Sequence, residues 1–401
     1  MPVVKGSSRF IPTLKRLLAG PALQAGTTVL SFALLSVLTC WLQGCVLTGN
    51  ESTDAPQHRS ETKRPDTAIK RSDGPAKEHV SRAQPPSREA AQDAREHSAR
   101  FPEKPSRSAT APTDARRTEI SVEKLSGYQV PAEYLFIPSS HYPEATVAVM
   151  LPTDYDVDPH KRYPLIIAFG GAGECARPPE QGALAWLRYY KTDEAAKAAE
   201  SGKLAVSDFR GLVTPKQLKV FNSSLKRSPY KGVILACPSS PPLWGVRDGV
   251  DFPEYEAFVM TELIPALQKR YRTDPHMIGV DGVSMGGARS LYYGLKYPAV
   301  FSSIGAVQGA FGPYVATYRQ LIRDNKQALA HRPIQLVTSD GDVMLRSVEN
   351  MHKVLRDAAI PHHFSVLSGP HDYIFNQGPG ALALLIFHQH ALAAAMKGPV
   401  R

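Results

Sequence analysis

Beyond about residue 126, short and almost wholly apolar runs recur, with room for a helix between most of them. Ala145–Leu151 (ATVAVML) is rich in valine and bounded by Pro143 and Pro152. Tyr163–Phe169 (YPLIIAF) ends on Gly170-Gly171, as a strand buried on both faces does. Gly232–Cys237 (GVILAC) stops at Pro238, and Met277–Val280, Phe301–Val307, Ile334–Val337 and Phe364–Leu367 complete the predicted strands. Between them the period lengthens, and Gly182–Ala199, Phe258–Tyr271, Ala288–Lys296, Arg346–Ala359 and Ala381–Ala395 read as helices. In the second of these, Phe258, Leu263, Ala266 and Leu267 share one stripe, and Pro265 requires a kink or a turn start. Strands alternating with helices at this spacing predict an α/β domain over 126–401, with a mostly parallel sheet covered by helices on both faces. Ligands of such sheets bind beyond the carboxyl ends of the strands.

The first 125 residues follow a different pattern. Lys5, Arg9, Lys15 and Arg16 open the chain without an acid among them, and no charge appears from Leu17 to Asn50. A positive start followed by the apolar run Val29–Leu42 is the pattern of an export signal. It closes on Leu42-Gln43-Gly44-Cys45, which resembles the lipobox of bacterial lipoproteins. That resemblance implies a signal peptide over 1–44, removal of it before Cys45 and acylation of the cysteine. An uncleaved membrane helix is the alternative, since the uncharged run is long enough to span. Several acyl chains on one cysteine would hold the protein stably to a bilayer. Val46, rather than an aspartate, suggests the outer membrane of the bacterial envelope by the same resemblance. Residues 46–125 are rich in Ser, Pro, Ala, Arg and Glu and nearly empty of Val, Leu, Phe and Ile. Such a stretch buries too little apolar surface to order itself, so 45–125 is expected to be a lipidated cysteine and a disordered tether.

Charge changes the picture little. The net +10 divides into +4 from the signal, +2 from the tether (15 basic and 13 acidic residues) and +4 from 126–401 (28 basic and 24 acidic). No part is basic enough for a nucleic-acid footprint, so no nucleic-acid partner is expected. Of four cysteines, Cys40 and Cys45 lie in or beside the signal, leaving Cys175 and Cys237 in the domain. No Cys-x-x-Cys or His-x-x-x-His spacing occurs, and the sequence gives no metal site.

Chemistry enters at Gly282-Val283-Ser284-Met285-Gly286, a Gly-x-Ser-x-Gly between the strand Met277–Val280 and the helix from Ala288. A serine on so tight a strand-to-helix turn has a strained backbone, and the flanking glycines leave its hydroxyl exposed. A serine hydroxyl needs a base, and the base must itself be oriented. Two later strand ends supply these in the order acid, then histidine: Thr338-Ser339-Asp340-Gly341-Asp342 and Ser368-Gly369-Pro370-His371-Asp372. His362 and His363 precede a strand, His352, His388 and His390 lie in helices, and these five read as solvated surface residues. That leaves His371 as the base. Asp340 and Asp342, the latter before Val343-Met344, are both candidates for the acid, and Asp372 reads as a loop cap. The Met285 N–H and an N–H from the Gly170–Gly173 turn, Gly171 above all, are the candidate donors to an oxyanion.

YPLIIAFGGAG (163–173), TELIPALQKRYRTDP (261–275), GVSMGGARSLYYGLKYPAVF (282–301), SDGDVM (339–344) and GPHDY (369–373) together resemble the esterase D and feruloyl esterase type of esterase, within the α/β-hydrolases. The resemblance covers most of 145–395. It implies hydrolysis of acyl esters by Ser284, Asp342 and His371, without metal or organic cofactor, on a small or polymer-linked ester. Two alternatives stay open: transfer of the acyl group to a sugar or lipid alcohol, and a non-catalytic envelope protein of the same fold. Phe169 stands where many relatives have histidine. Residues 201–230 follow no family pattern and read as an insertion, a lid or pocket wall; Trp244 lines the pocket or fills the core. In the α/β-hydrolase order the strands before Cys175 and ending at Cys237 are neighbours, which would let the two cysteines form a disulfide above adjacent strand ends.

Overall fold

In the computed structural model the described residues are 119–395, apart from 245, 247 and 248, and all fall within one compact unit, Ser106–Arg401. The signal over 1–44, Cys45 and nearly all of the tether lie outside the described residues.

Nine strands form one sheet: β1 Ser121–Leu125, β2 Ala132–Phe136, β3 Thr146–Met150, β4 Tyr163–Phe169, β5 Ile234–Pro238, β6 Thr273–Gly282, β7 Ser303–Val307, β8 Ile334–Gly341 and β9 His363–Pro370. Their order is β1-β2-β3-β5-β4-β6-β7-β8-β9. The β1–β2, β2–β3 and β3–β5 pairs are antiparallel, and every pair from β5–β4 to β8–β9 is parallel. All seven strands predicted from sequence are present. The sheet also holds β1 and β2, and β1 lies inside the stretch 45–125 read as tether. The reason is position: β1 is an edge strand whose central residues are exposed, so SVEKL pairs without needing an apolar run.

Alternation along the central strands divides the core into two layers. Leu165, Ile167, Phe169, Ile234, Ala236, Ile278 and Val280 face one cluster, while Ile166, Ala168, Leu235 and Cys237 face the other. Helices cover both faces. The principal ones are α1 Ala172–Cys175, α2 Thr192–Glu200, α3 Pro215–Arg227, α4 Met285–Lys296, α5 Val315–Asp324, α6 Leu345–Asp357 and α7 Ala381–Ala395. The helix expected over 182–199 is interrupted, because Lys191 takes a left-handed φ of 52° between the π-helical turn Ala185–Tyr189 and α2. Pro265 is accommodated as the sequence requires: the π-helical turn Phe258–Leu263 precedes it, and Pro265 sits in the first turn of Ile264–Arg270.

Residues 201–230 are neither loose nor without pattern. Thr214 and Gln217 form a reciprocal capping box at the start of α3, with Pro215 in its first turn. Phe209, Val213, Leu225 and Tyr230 join the core layer that α7 also enters.

His388 corrects its reading as a surface residue. It is fully buried in α7, with Nε2 3.1 Å from Asp281 Oδ2 and Nδ1 2.7 Å from Ser303 Oγ. Burial pushes the Asp281 carboxyl above its ordinary range, against the pull of His388. Space for the group comes from glycine, since a methyl on Gly305 would lie 1.9 Å from Asp281 Oδ2 and one on Gly279 2.6 Å from His388 Nδ1. Gly305→Ala should therefore destabilise the domain by about 1–3 kcal/mol, lowering the thermal midpoint by roughly 2–4 °C per kcal/mol. Calorimetry of the two proteins checks this, and an unchanged midpoint would mean that the network has slack.

Candidate active site

The strand β6 ends at Gly282 and α4 begins at Met285, which leaves two residues to reverse the chain. Ser284 makes the turn with φ 56° and ψ −113°, a conformation costly for a residue with a side chain. Its surroundings hold it there. The Ser284 N–H donates to the Val307 carbonyl at 2.9 Å, and its carbonyl accepts from Ala288 and Ala310. The glycines are required by close approach. A methyl on Gly282 would lie 2.2 Å from the Gly286 carbonyl oxygen, and one on Gly286 would lie 2.4 Å from the carbonyl oxygens of Phe169 and Gly170. The start of α4 is thus pressed against the turn after β4, which brings Met285 and the Gly170–Gly173 turn to one place.

Two other strand ends complete the group. His371 follows β9, with Nε2 3.0 Å from Ser284 Oγ and Nδ1 2.6 Å from Asp342 Oδ1. Asp342 follows β8, is buried, and accepts from Thr338 Oγ1 at 2.5 Å and from the Met344 N–H at 2.7 Å. Burial acts to raise its pKa, but the hydrogen bonds from His371, Thr338 and Met344 together outweigh this and hold the carboxyl below its ordinary value. An ionised Asp342 accepts a hydrogen bond from the Nδ1–H, which leaves Nε2 with a lone pair toward the serine hydroxyl. Asp340 is exposed and accepts the Gly369 N–H at 3.0 Å. Asp372 caps the turn Tyr373–Phe375 through the Phe375 N–H. Gln308, which the sequence did not single out, is buried with φ 49°; its Nε2 donates to Ser339 Oγ and to the Pro370 carbonyl, tying the end of β7 to the loops of Asp342 and His371. Among the described residues no group of three His, Cys, Asp or Glu side chains could hold a metal ion.

On the other side of Ser284, the Met285 N–H is at the first helical position, where no carbonyl of α4 can accept it. Gly171 departs from the expectation. Its N–H donates to Tyr190 Oη at 2.9 Å, and Tyr190 in turn donates to Glu174 Oε2 at 2.5 Å. Glu174 is buried, and its Oε1 accepts from Tyr373 Oη at 2.6 Å. The expected disulfide is not formed: Cys175 and Cys237 are both buried free thiols. The strands are neighbours as expected, but Cys237 lies within β5, facing the core layer of Trp186, rather than above it. Cys175 lies in α1 with its sulfur 3.4 Å from Ser240 Oγ. Trp244 neither fills the core nor is enclosed; it is exposed, beside Leu243, whose N–H meets Met285 Sδ at 3.2 Å. The loop carrying both is anchored by Arg289 of α4, which makes a fully buried two-point pair with Asp251 and donates to the Pro241 carbonyl.

Residues 245–343, which include Ser284 and Asp342, match a family model described as "Putative esterase". Over these residues the chain is similar to that esterase family. Its sheet order, with the serine turn after a central parallel strand, is that of the α/β-hydrolase fold, and the chain is a carboxylic ester hydrolase of the serine type. A search of curated proteins by sequence gave no match. Among solved structures, the esterase is similar to a ferulic acid esterase at 17% identity and TM-score 0.48, over 68% of this chain and 98% of that one. It is also similar to an S-formylglutathione hydrolase from Agrobacterium tumefaciens (15% identity, TM-score 0.44, 67% and 98%). A third likeness is to an S-formylglutathione hydrolase from Staphylococcus aureus (12%, 0.43, 68% and 100%).

The two aspartates of the esterase give a direct contrast. Asp342→Asn removes the acceptor that fixes the imidazole and should lower ester turnover by about 10⁴-fold. Asp340→Asn changes an exposed acceptor of one backbone N–H and should leave turnover within a few-fold. Steady-state rates on one p-nitrophenyl ester decide it, and the reverse ranking would overturn the choice of acid.

Proposed function

We propose that this esterase cleaves acyl esters through an acyl-enzyme, with Ser284 as nucleophile, His371 as base and Asp342 as the group that orients it. The observation that carries the reading is that one imidazole bridges Asp342 and Ser284 at hydrogen-bonding distance on both sides. His371 Nε2 takes the hydroxyl proton as Ser284 Oγ attacks the ester carbonyl. The proton then passes to the leaving alcohol. A water activated by the same nitrogen hydrolyses the acyl-enzyme, and Ser284 recovers its proton. The Met285 N–H meets the oxyanion, and the Gly171 N–H joins it by exchanging its bond to Tyr190 Oη. That exchange leaves the Tyr190 hydroxyl still donating to Glu174. Neither an alcohol acceptor nor a metal enters this sequence of steps.

Ser284→Ala and His371→Ala should each lower ester turnover by several orders of magnitude, and the double variant by no more than the worse single one, because the groups act as a unit. Rates on p-nitrophenyl esters of increasing chain length check this. A Ser284→Ala protein that retains turnover would overturn the assignment.

We propose further that the enzyme is held to the bacterial envelope by lipid on Cys45, with the 45–125 stretch as its tether. The support is in the sequence: the uncharged run, the small residue before the cysteine and the polar stretch after it. The precursor should incorporate labelled fatty acid and lose it on Cys45→Ala. A Cys45→Ala protein that still sediments with membrane through an intact N-terminus would establish the membrane helix instead.

A further inference from the structure

Two arginines lie over Tyr189, the ring that stacks on Tyr373 just past His371. Tyr373, two residues past His371, stacks on Tyr189 with centroids 5.9 Å apart and planes 25° apart. The Arg177 guanidinium lies over the Tyr189 ring at 4.6 Å and within hydrogen-bonding reach of the Tyr373 hydroxyl. The Arg188 guanidinium lies over the same ring at 5.9 Å. Both arginines are exposed, and among the described residues neither forms an ion pair. Glu174, the acid within the cluster, already accepts from the hydroxyls of Tyr190 and Tyr373.

This group is connected to the reacting centre by direct contacts. Tyr373 follows the base in sequence, and its hydroxyl lies 3.5 Å from where a methyl on Gly173 would sit. Tyr190, next to Tyr189, binds the Gly171 N–H, and a methyl on Gly171 would lie 3.5 Å from Val283, the neighbour of Ser284. Tyr190 and Tyr373, sharing Glu174, therefore link the Gly170–Gly173 turn to the loop of His371. A guanidinium resting over an aromatic ring loses part of its conformational freedom and still has N–H groups to offer a ligand. Those groups fork onto a carboxylate or phosphate with two parallel hydrogen bonds.

We infer that Arg177 and Arg188, mounted on Tyr189 and braced by Tyr373, form a subsite for a negatively charged group on the ester. The inference rests on the reading of Ser284 as nucleophile and adds a substrate class to it, esters that carry an anion on the acyl or the alcohol side. Steering by two unpaired cations raises capture of such a substrate, and added salt reduces the advantage.

Two matched pairs of esters test it: p-nitrophenyl butyrate against the p-nitrophenyl monoester of succinate for the acyl side, and phenyl acetate against 4-carboxyphenyl acetate for the alcohol side. Arg177→Ala/Arg188→Ala should raise KM for the charged member of one pair by about tenfold or more, as expected for a lost charge-assisted contact. The neutral members should change less than twofold. Arg177→Lys/Arg188→Lys keeps the charge and should recover part of the loss. Equal losses on charged and neutral esters, or no loss on either charged ester, would overturn the subsite. Titration of Ser284→Ala with the same four esters reads binding without turnover. Charge-dependent binding that the arginine variant abolishes supports the subsite even if the nucleophile assignment fails, and charge-independent binding overturns it even if that assignment stands.

Discussion

The backbone of Ser284 is the constraint on which the rest of the site depends. A residue with a side chain at φ 56° and ψ −113° is held only where its surroundings leave no relaxed alternative. Here β6 delivers the chain from below, α4 removes it at once, and hydrogen bonds with Val307 at the end of β7, with Ala310 just past it and with Ala288 of α4 fix the peptide groups on either side. The glycines at 282 and 286 let β6, α4 and the turn after β4 approach within distances no side chain would allow. One strained residue thus decides where the hydroxyl points, where the first N–H of α4 points, and how near the turn after β4 can come.

Around that point the structure uses buried polar groups to join elements distant in sequence. Asp281, one residue before the turn, is bound to His388 of the last helix and through it to Ser303 of β7. Arg289, five residues after Ser284, is fully buried on Asp251 and carries the loop of Leu243 and Trp244. Gln308 connects the end of β7 with the loop of His371. Each is costly if left half-paired, so each favours one arrangement of loops over others near it in energy. Geometry fine enough for proton transfer between three strand ends needs such constraints, because apolar contacts alone are not directional.

The sequence discloses the elements whose signals are local. Runs such as YPLIIAF and GVILAC are buried on both faces and have no competing reading, and the strand–Ser284–helix turn announces itself by its glycines. Asp342 and His371 are legible because strand order puts them at the same sheet edge. What stayed hidden depends on partners. β1 is polar and exposed, and only its pairing makes it a strand; β2, with Tyr134, Leu135 and Phe136 in a row, carried a local signal and was readable. The break at Lys191 is a tertiary override of a helical composition. His388 looks like a surface residue in a helix so uniformly apolar that period gives no face. The commitment of the Gly171 N–H to Tyr190, the burial of Cys237 in the core layer of Trp186 and the contact of Cys175 with Ser240 are facts of side-chain orientation, which spacing does not encode. The helix Pro215–Arg227 is different: the Thr214-Pro215-Lys216-Gln217 start carries a capping box and a first-turn proline, and it was readable.

The central claim is that Ser284 is made nucleophilic by the imidazole beside it. Reaction of the folded protein with a fluorophosphonate, followed by mass mapping of the digested adduct, tests this most directly. The account predicts one phosphonate per chain, on the peptide containing Ser284, and loss of the adduct in His371→Ala. A folded protein that takes up no phosphonate, or takes it up on another serine, would contradict it.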